Sequence, residues 1–104
     1  MAKANVKRNR FRPRELRDLV SVGPATLRNF EQLGIRSVVQ LARAHPEALY
    51  EKLCRVTGQS QDICCFDVFS AAVAQARNPQ LPVVQCQWWY WSRKRKASDS
   101  RKAS

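Results

Sequence analysis

The stretch LVSVGPATLRNFEQLGIRS, Leu19 to Ser37, constrains the fold more than any other part of the chain. Both of its ends have helical spacing, yet Gly23-Pro24 stands where one continuous helix would have to run. Glycine is a poor helix-interior residue, and proline has no N–H to give the preceding turn. Proline is well suited to the first position of a new helix. The stretch therefore predicts a helix, a tight turn, and a second helix starting at Pro24.

The same punctuation organises the rest. A first helix is predicted from Pro13 to Leu19 or Val20, with Leu16, Leu19 and Val20 on one face. The second carries the stripe Leu27, Phe30, Leu33. Gly34 sits where a left-handed residue closes a helix, with Ile35 placed to pack back on Phe30. Ser37 and Gln40 have capping-box spacing and open a short connector helix. Pro46 restarts the chain in a helix that Thr57-Gly58 ends. A last helix is predicted from the region of Ser60 to Asp62 as far as Asn78-Pro79, with Ile63, Phe66, Phe69, Ser70 and Val73 as its stripe. LPVVQ is too short and too bounded by proline to make a strand. The expectation is an all-α, compact bundle of about five helices. Gly23 and Gly58 would occupy comparable places in two helix-turn-helix units.

Charge divides the chain in a different way. The net charge is +11 over 104 residues. Residues 1–17 hold seven Lys/Arg and one acid, and residues 92–104 hold six and one. Residues 18–91 hold six of each, so the two ends carry the whole excess. Like charges repel and bury little apolar surface, so residues 1–13 and 93–104 are predicted as disordered basic tails flanking a domain of residues 14–92. Such ends attract polyanions or simply aid solubility. No apolar run approaches the roughly 20 residues of a membrane span. No apolar stretch follows the basic N-terminal residues as it would in a secretory signal. The expected location is cytoplasmic, with reduced thiols and no membrane partner.

With the pattern in place, LRDLVSVGPATLRNFEQLGIRSVVQLA resembles a helix-hairpin-helix motif, whose usual hairpin reads apolar-Pro-Gly-apolar-Gly. Here Val20, Ser21, Val22 and Gly23 take those places, with Val20 where the proline often sits. The order Leu53-Cys54, Thr57-Gly58, a downstream cysteine, then Cys86-x-Trp88-Trp89-x-Trp91 is similar to the small bacterial family of pathogenicity-locus or mitomycin-resistance proteins. Together the two resemblances cover about residues 14–92, and neither brings an established reaction with it.

The superfamily resemblance implies a (helix-hairpin-helix)2-like fold that grips phosphates. A tight turn opening a helix leaves backbone N–H groups pointing outward at the positive end of the dipole. Contacts of this kind fix position on the backbone and carry no base information. The implied DNA-binding residues are Ser21, Val22, Gly23, Ala25, Thr26 and Arg28 at the first turn, and Gly58, Gln59 and Ser60 at a weaker second one. Lys7, Arg8, Arg10, Arg12 and Arg14, and then Arg93, Lys94, Arg95 and Lys96, would add tail contacts. The chain departs from the motif where Ser21 replaces the first glycine, where Ala25 stands in place of a frequent lysine, and in the neutral charge of its middle. A bland alternative is that the turn is only a compact corner of a bundle.

Cys54, Cys64, Cys65 and Cys86 are possible metal ligands, with His45 a fifth. No Cys-x-x-Cys occurs, and the adjacent Cys64 and Cys65 on a helix point about 100° apart. The better reading is small buried hydrophobes, with no metal and no cofactor. In QCQWWYW, the aromatics Trp88, Trp89, Tyr90 and Trp91 cannot all face one core. They would clasp the bundle, or offer a stacking platform beside a basic end. No paired acids, phosphate-binding glycine loop or metal-ligand set points to an enzyme. The leading expectation is non-sequence-specific DNA binding. The alternative is a helical adaptor, like a SAM domain, that meets a protein partner through its aromatic C-terminal end.

Overall fold

The computed structural model describes residues 14–103, with side chains for residues 14–98. Five helices follow one another: α1 (Pro24–Leu33), α2 (Val38–Ala42), α3 (Pro46–Thr57), α4 (Cys64–Arg77) and α5 (Trp88–Ala103). A 3-10 turn at Leu16–Asp18 precedes α1, and another at Val83–Cys86 joins α4 to α5. No strand occurs among the described residues. The architecture is the all-α bundle that the pattern predicts, built from a somewhat different set of helices.

The stop signals act as their chemistry requires. Gly34 has a φ of 79°, and the Ile35 N–H donates to the Phe30 carbonyl at 2.9 Å. Gln40 N–H donates to Ser37 Oγ at 3.1 Å, which opens α2. Pro24 and Pro46 stand at the starts of α1 and α3, where a missing N–H costs nothing.

α4 lies at the centre, packed against α2, α3 and α5, while α1 packs on α3. The core gathers Leu16, Leu19, Phe30, Leu33, Leu41, Leu53, Phe69 and Val73. The rings of Phe30 and Phe69 stack with centroids 5.6 Å apart and planes 29° apart. Cover from several sides explains why α4 buries more than one stripe. Asp67, Ala71, Ala72, Gln75 and Ala76 are buried with Phe69 and Val73, whereas Ile63 at its entrance is exposed. Alanines there let neighbouring helices approach closely.

Two boundaries differ from the sequence reading. The predicted first helix is only the 3-10 turn Leu16–Asp18. Its leucines, three apart, fall on one face at the 3-10 repeat, and both Leu16 and Leu19 are buried. The chain then leaves helical geometry, since Ser21 takes a φ of 72°.

The second correction concerns residues 93–104. Residues 93–103 are not a disordered tail, because α5 runs unbroken from Trp88 to Ala103. The helix continues past residue 92, where the domain is predicted to end. Arg95 is the physical reason. Its Nε and Nη2 donate to the two carboxylate oxygens of Asp67 at 2.9 and 3.0 Å, and the Asp67 side chain is wholly buried. Ser92 is also buried, and Trp91 Nε1–H donates to the Gln85 carbonyl at 2.8 Å. A charge run reads as solvated until one of its members has a buried partner, and that partner lies 28 residues upstream.

Replacing Arg95 alone leaves a carboxylate buried without its partner, which costs about 3–5 kcal/mol. Arg95→Met should therefore lower the urea unfolding midpoint sharply. The double variant Asp67→Leu/Arg95→Met should recover most of the loss, because no charge remains buried. An Arg95→Met midpoint equal to that of the unaltered protein would contradict this role.

Candidate nucleic-acid interface

The turn from Leu19 to Gly23 is a true hairpin corner. The Val22 N–H donates to the Leu19 carbonyl at 3.3 Å, closing a four-residue turn with Ser21 in its third place. A type II turn puts positive φ at that place, and proline is common just before it. Ser21 is the one non-glycine residue with positive φ among the described residues. A left-handed L-residue costs roughly 1–2 kcal/mol.

Bonds from two directions hold the strained corner. Ser21 Oγ–H donates to the Cys86 carbonyl at 3.2 Å, and the same oxygen accepts the Trp88 N–H at 3.2 Å. The Ser21 hydroxyl thus caps the first turn of α5 from across the fold. Gln75, buried in α4, completes the junction. Its Oε1 accepts the Val20 N–H at 2.9 Å, and its Nε2–H donates to the Val20 carbonyl at 2.8 Å. Nε2 also reaches the carbonyls of Ala71 at 3.3 Å and Cys86 at 3.4 Å. The side-chain amide pairs with Val20 as a neighbouring backbone would.

Beyond the corner, the start of α1 is open. Gly23 is its N-cap, with extended backbone and no side-chain cap. Pro24 and Ala25 are exposed, and Thr26 is half-buried. A Cβ added to Gly23 would meet nothing within 4 Å. Arg28, one turn on, is exposed. Val22 is half-buried against the core. The first group of predicted residues therefore comes together around one helix N-terminus.

The second group does not. Gly58 ends α3 rather than opening α4, with a φ of 69° and its N–H on the Arg55 carbonyl at 3.2 Å. It is the counterpart of Gly34, not of Gly23, and it stands at the negative end of a helix dipole. Gln59 and Ser60 are exposed beside it. The N-terminus of α4 lies further on, and Asp62 already serves it: Oδ1 accepts the Cys64 N–H at 2.9 Å. That bond holds the Asp62 carboxyl below its usual range. A carboxylate in this place repels phosphate, and Gly23 and Gly58 stand at opposite kinds of helix end.

The basic residues also sort into two kinds. Lys7, Arg8, Arg10 and Arg12 lie outside the described residues. Arg14 is not free for a ligand, since its guanidinium donates to the carbonyls of Gln75 at 2.9 Å and Ala76 at 3.3 Å, near the end of α4. Arg95 is held by Asp67. Arg93, Lys94 and Lys96 are exposed on α5. The Arg93 guanidinium sits 4.9 Å from the centre of the Trp89 ring, and Lys94 Nζ lies 5.6 Å from Tyr90 and 5.4 Å from Trp91. Trp88 and Trp89 are exposed at the start of this helix.

The four cysteines are dispersed in role. Cys86 is buried, with its thiol against the carbonyls of Leu81 and Pro82. Cys54 Sγ accepts the Gln61 N–H at 3.4 Å. The Cys64 thiol is exposed and pushed above its ordinary pKa, chiefly by hydrogen bonding to Asp62. Partial burial pushes Cys65 the same way. Among the described residues, no three His, Cys, Asp or Glu side chains converge as a metal site.

Gln75 and the Asp67–Arg95 pair escape sequence reasoning. The available signal was a polar residue inside an alanine-rich helix, where an unpaired amide or carboxylate would be costly.

These features define a small all-α protein with an open N-terminus at α1 and a basic, aromatic last helix. The chain belongs to the Cdd1 family, described as "Pathogenicity locus", whose sequence profile matches residues 9–97. It is 37% identical over 83 residues to the protein named mitomycin resistance protein McrB from Streptomyces lavendulae, covering 79% of this chain and 74% of that one. No solved structure matches significantly.

Ser21 gives a test of the junction. Ser21→Ala keeps the left-handed strain and loses both hydroxyl bonds, so it should destabilise the protein by about 2 kcal/mol. Ser21→Gly loses the bonds but also the strain, so its cost should be smaller. Urea unfolding of both variants compares them directly. Equal losses would mean that the backbone conformation at Ser21 carries no strain.

Proposed function

We propose that this protein binds DNA without sequence specificity, through the phosphate backbone. The carrying observation is the separation of charge. An electrically balanced middle is flanked by ends that hold the entire excess of +11. Phosphate neutralisation is what such ends do best. The open N-terminus of α1 adds a point of attachment, where the Ala25 and Thr26 amides and Arg28 face an approaching phosphate. In this reading the corner from Leu19 to Gly23 is a helix-hairpin-helix turn whose leading helix has shrunk to a 3-10 turn. A single hairpin acts here, not a pair, since Gly58 closes a helix.

A second reading has its own support. Val83, Val84, Trp88 and Trp89 are exposed large apolar residues within seven positions of one another. A strip of this kind suits an adaptor that meets a protein partner. The reading that charge supports ranks ahead of it.

Fluorescence anisotropy with a labelled duplex of arbitrary sequence, across a salt series, tests the proposal. Engagement of about half the basic residues in the two ends gives a slope of log K against log salt of roughly −5 to −6. Replacing Lys7, Arg8, Arg10 and Arg12 together by Ser should flatten that slope by about 2 to 4. Gly23→Val should weaken binding at every salt concentration while leaving the slope nearly unchanged, since its side chain projects into the open space over α1. No binding at low salt would sink the DNA reading and leave the adaptor.

A further inference from the structure

The first turn of α5 is an unusual place to leave aromatic surface. Trp88 is 40% exposed and Trp89 37%, although a chain this small has little apolar area to spare. Trp91 and Tyr90 pack edge to face at 5.5 Å and are partly covered. Trp88 has no such neighbour: among the described residues, no ring or cation stacks on its indole. Its backbone, by contrast, is fixed, because the N–H is bonded to Ser21 Oγ at 3.2 Å. The result is a flat aromatic group on a rigid anchor, open to solvent.

Its surroundings are positive. Arg93 lies over Trp89, Lys94 lies over Tyr90 and Trp91, and Lys96 is exposed one turn further along the same helix. No acidic side chain occurs on α5 between Trp88 and Ser98. An apolar protein ligand would gain nothing from the cations Arg93 and Lys96 set beside its aromatic contact. A nucleic-acid strand supplies both complements, since every base has a π-face and every linkage a negative charge. Paired bases inside a duplex present only their edges and are closed to stacking.

We propose that Trp88 and Trp89 form a stacking platform for unpaired nucleobases, with Arg93 and Lys96 holding the adjoining phosphates. The preferred ligand is therefore single-stranded DNA, or duplex DNA with an unstacked base. This deepens the DNA-binding reading above and rests on it. It also gives that reading a preference that backbone contacts alone do not supply. Stacking tolerates any sequence, so the preference is for strand state and not for base identity.

The test uses the full chain with two labelled probes, an oligothymidylate strand and a duplex with the same number of phosphates. At matched salt the single strand should bind more tightly and quench tryptophan emission. Trp88→Ala should weaken single-strand binding about tenfold, as expected for loss of one base stack. Its salt slope and its duplex affinity should stay unchanged. Trp88→Phe should restore most of the single-strand affinity, since it keeps a smaller π-face. Circular dichroism confirms that each variant is folded, and Trp89→Ala offers an independent lesion of the same platform. Equal affinity for both probes with no quenching would overturn the platform while duplex binding remained. Unchanged single-strand affinity in both alanine variants would do the same and would return the strip to a protein partner. Failure of both probes to bind at low salt would remove the parent reading as well.

Discussion

The side-chain amide of Gln75 is the interaction on which the rest of this structure depends. It pairs with both backbone groups of Val20 and reaches the Cys86 carbonyl, so one residue of α4 joins two distant segments. Without it, the Val20 N–H and carbonyl would lose their partners on α4 and the corner its tie to that helix. The corner it holds places Ser21 against the start of α5, and Ser21 in turn caps that helix. The open N-terminus of α1 and the exposed tryptophans of α5 are thus positioned by the same junction.

Charge and burial divide the basic residues into structural and available groups. Arg14 and Arg95 count toward the excess at the ends, yet both are spent on the fold. Arg14 ties down carbonyls near the end of α4, and Arg95 neutralises a buried carboxylate. Arg77 likewise donates to the carbonyls of Ala42 and Ala44 after α2. Among the described residues, the exposed cations beside the open start of α1 and the aromatic turn of α5 are Arg28, Arg93, Lys94 and Lys96.

Local signals were easy to read, and partnership at a distance was not. Pro24, Gly34, Pro46 and Gly58 each mark a helix end through backbone chemistry that acts within a few residues. By contrast, α5 has weak helical patterning and a run of cations, so nothing local distinguishes it from a solvated end. Asp67 and Ser21 decide its structure, from 28 and 67 positions away. The comparison of Gly58 with Gly23 failed for a related reason. A glycine near a helix end has one identity and two possible roles, and only the direction of the neighbouring helix separates them. The open amides at Gly23 belonged to the readable part of the site, whereas the shielding of the α4 N-terminus by Asp62 did not.

The central claim is that the hairpin corner and α5 form one cooperative unit through Gln75. Native-state hydrogen exchange of the unaltered protein and of Gln75→Leu tests this most directly. The account predicts that protection falls together at Val22, at Trp88 and at the amides of α5 that follow, while α1 and α3 keep theirs. Loss of protection confined to Val20 and its neighbours, with α5 unchanged, would contradict it.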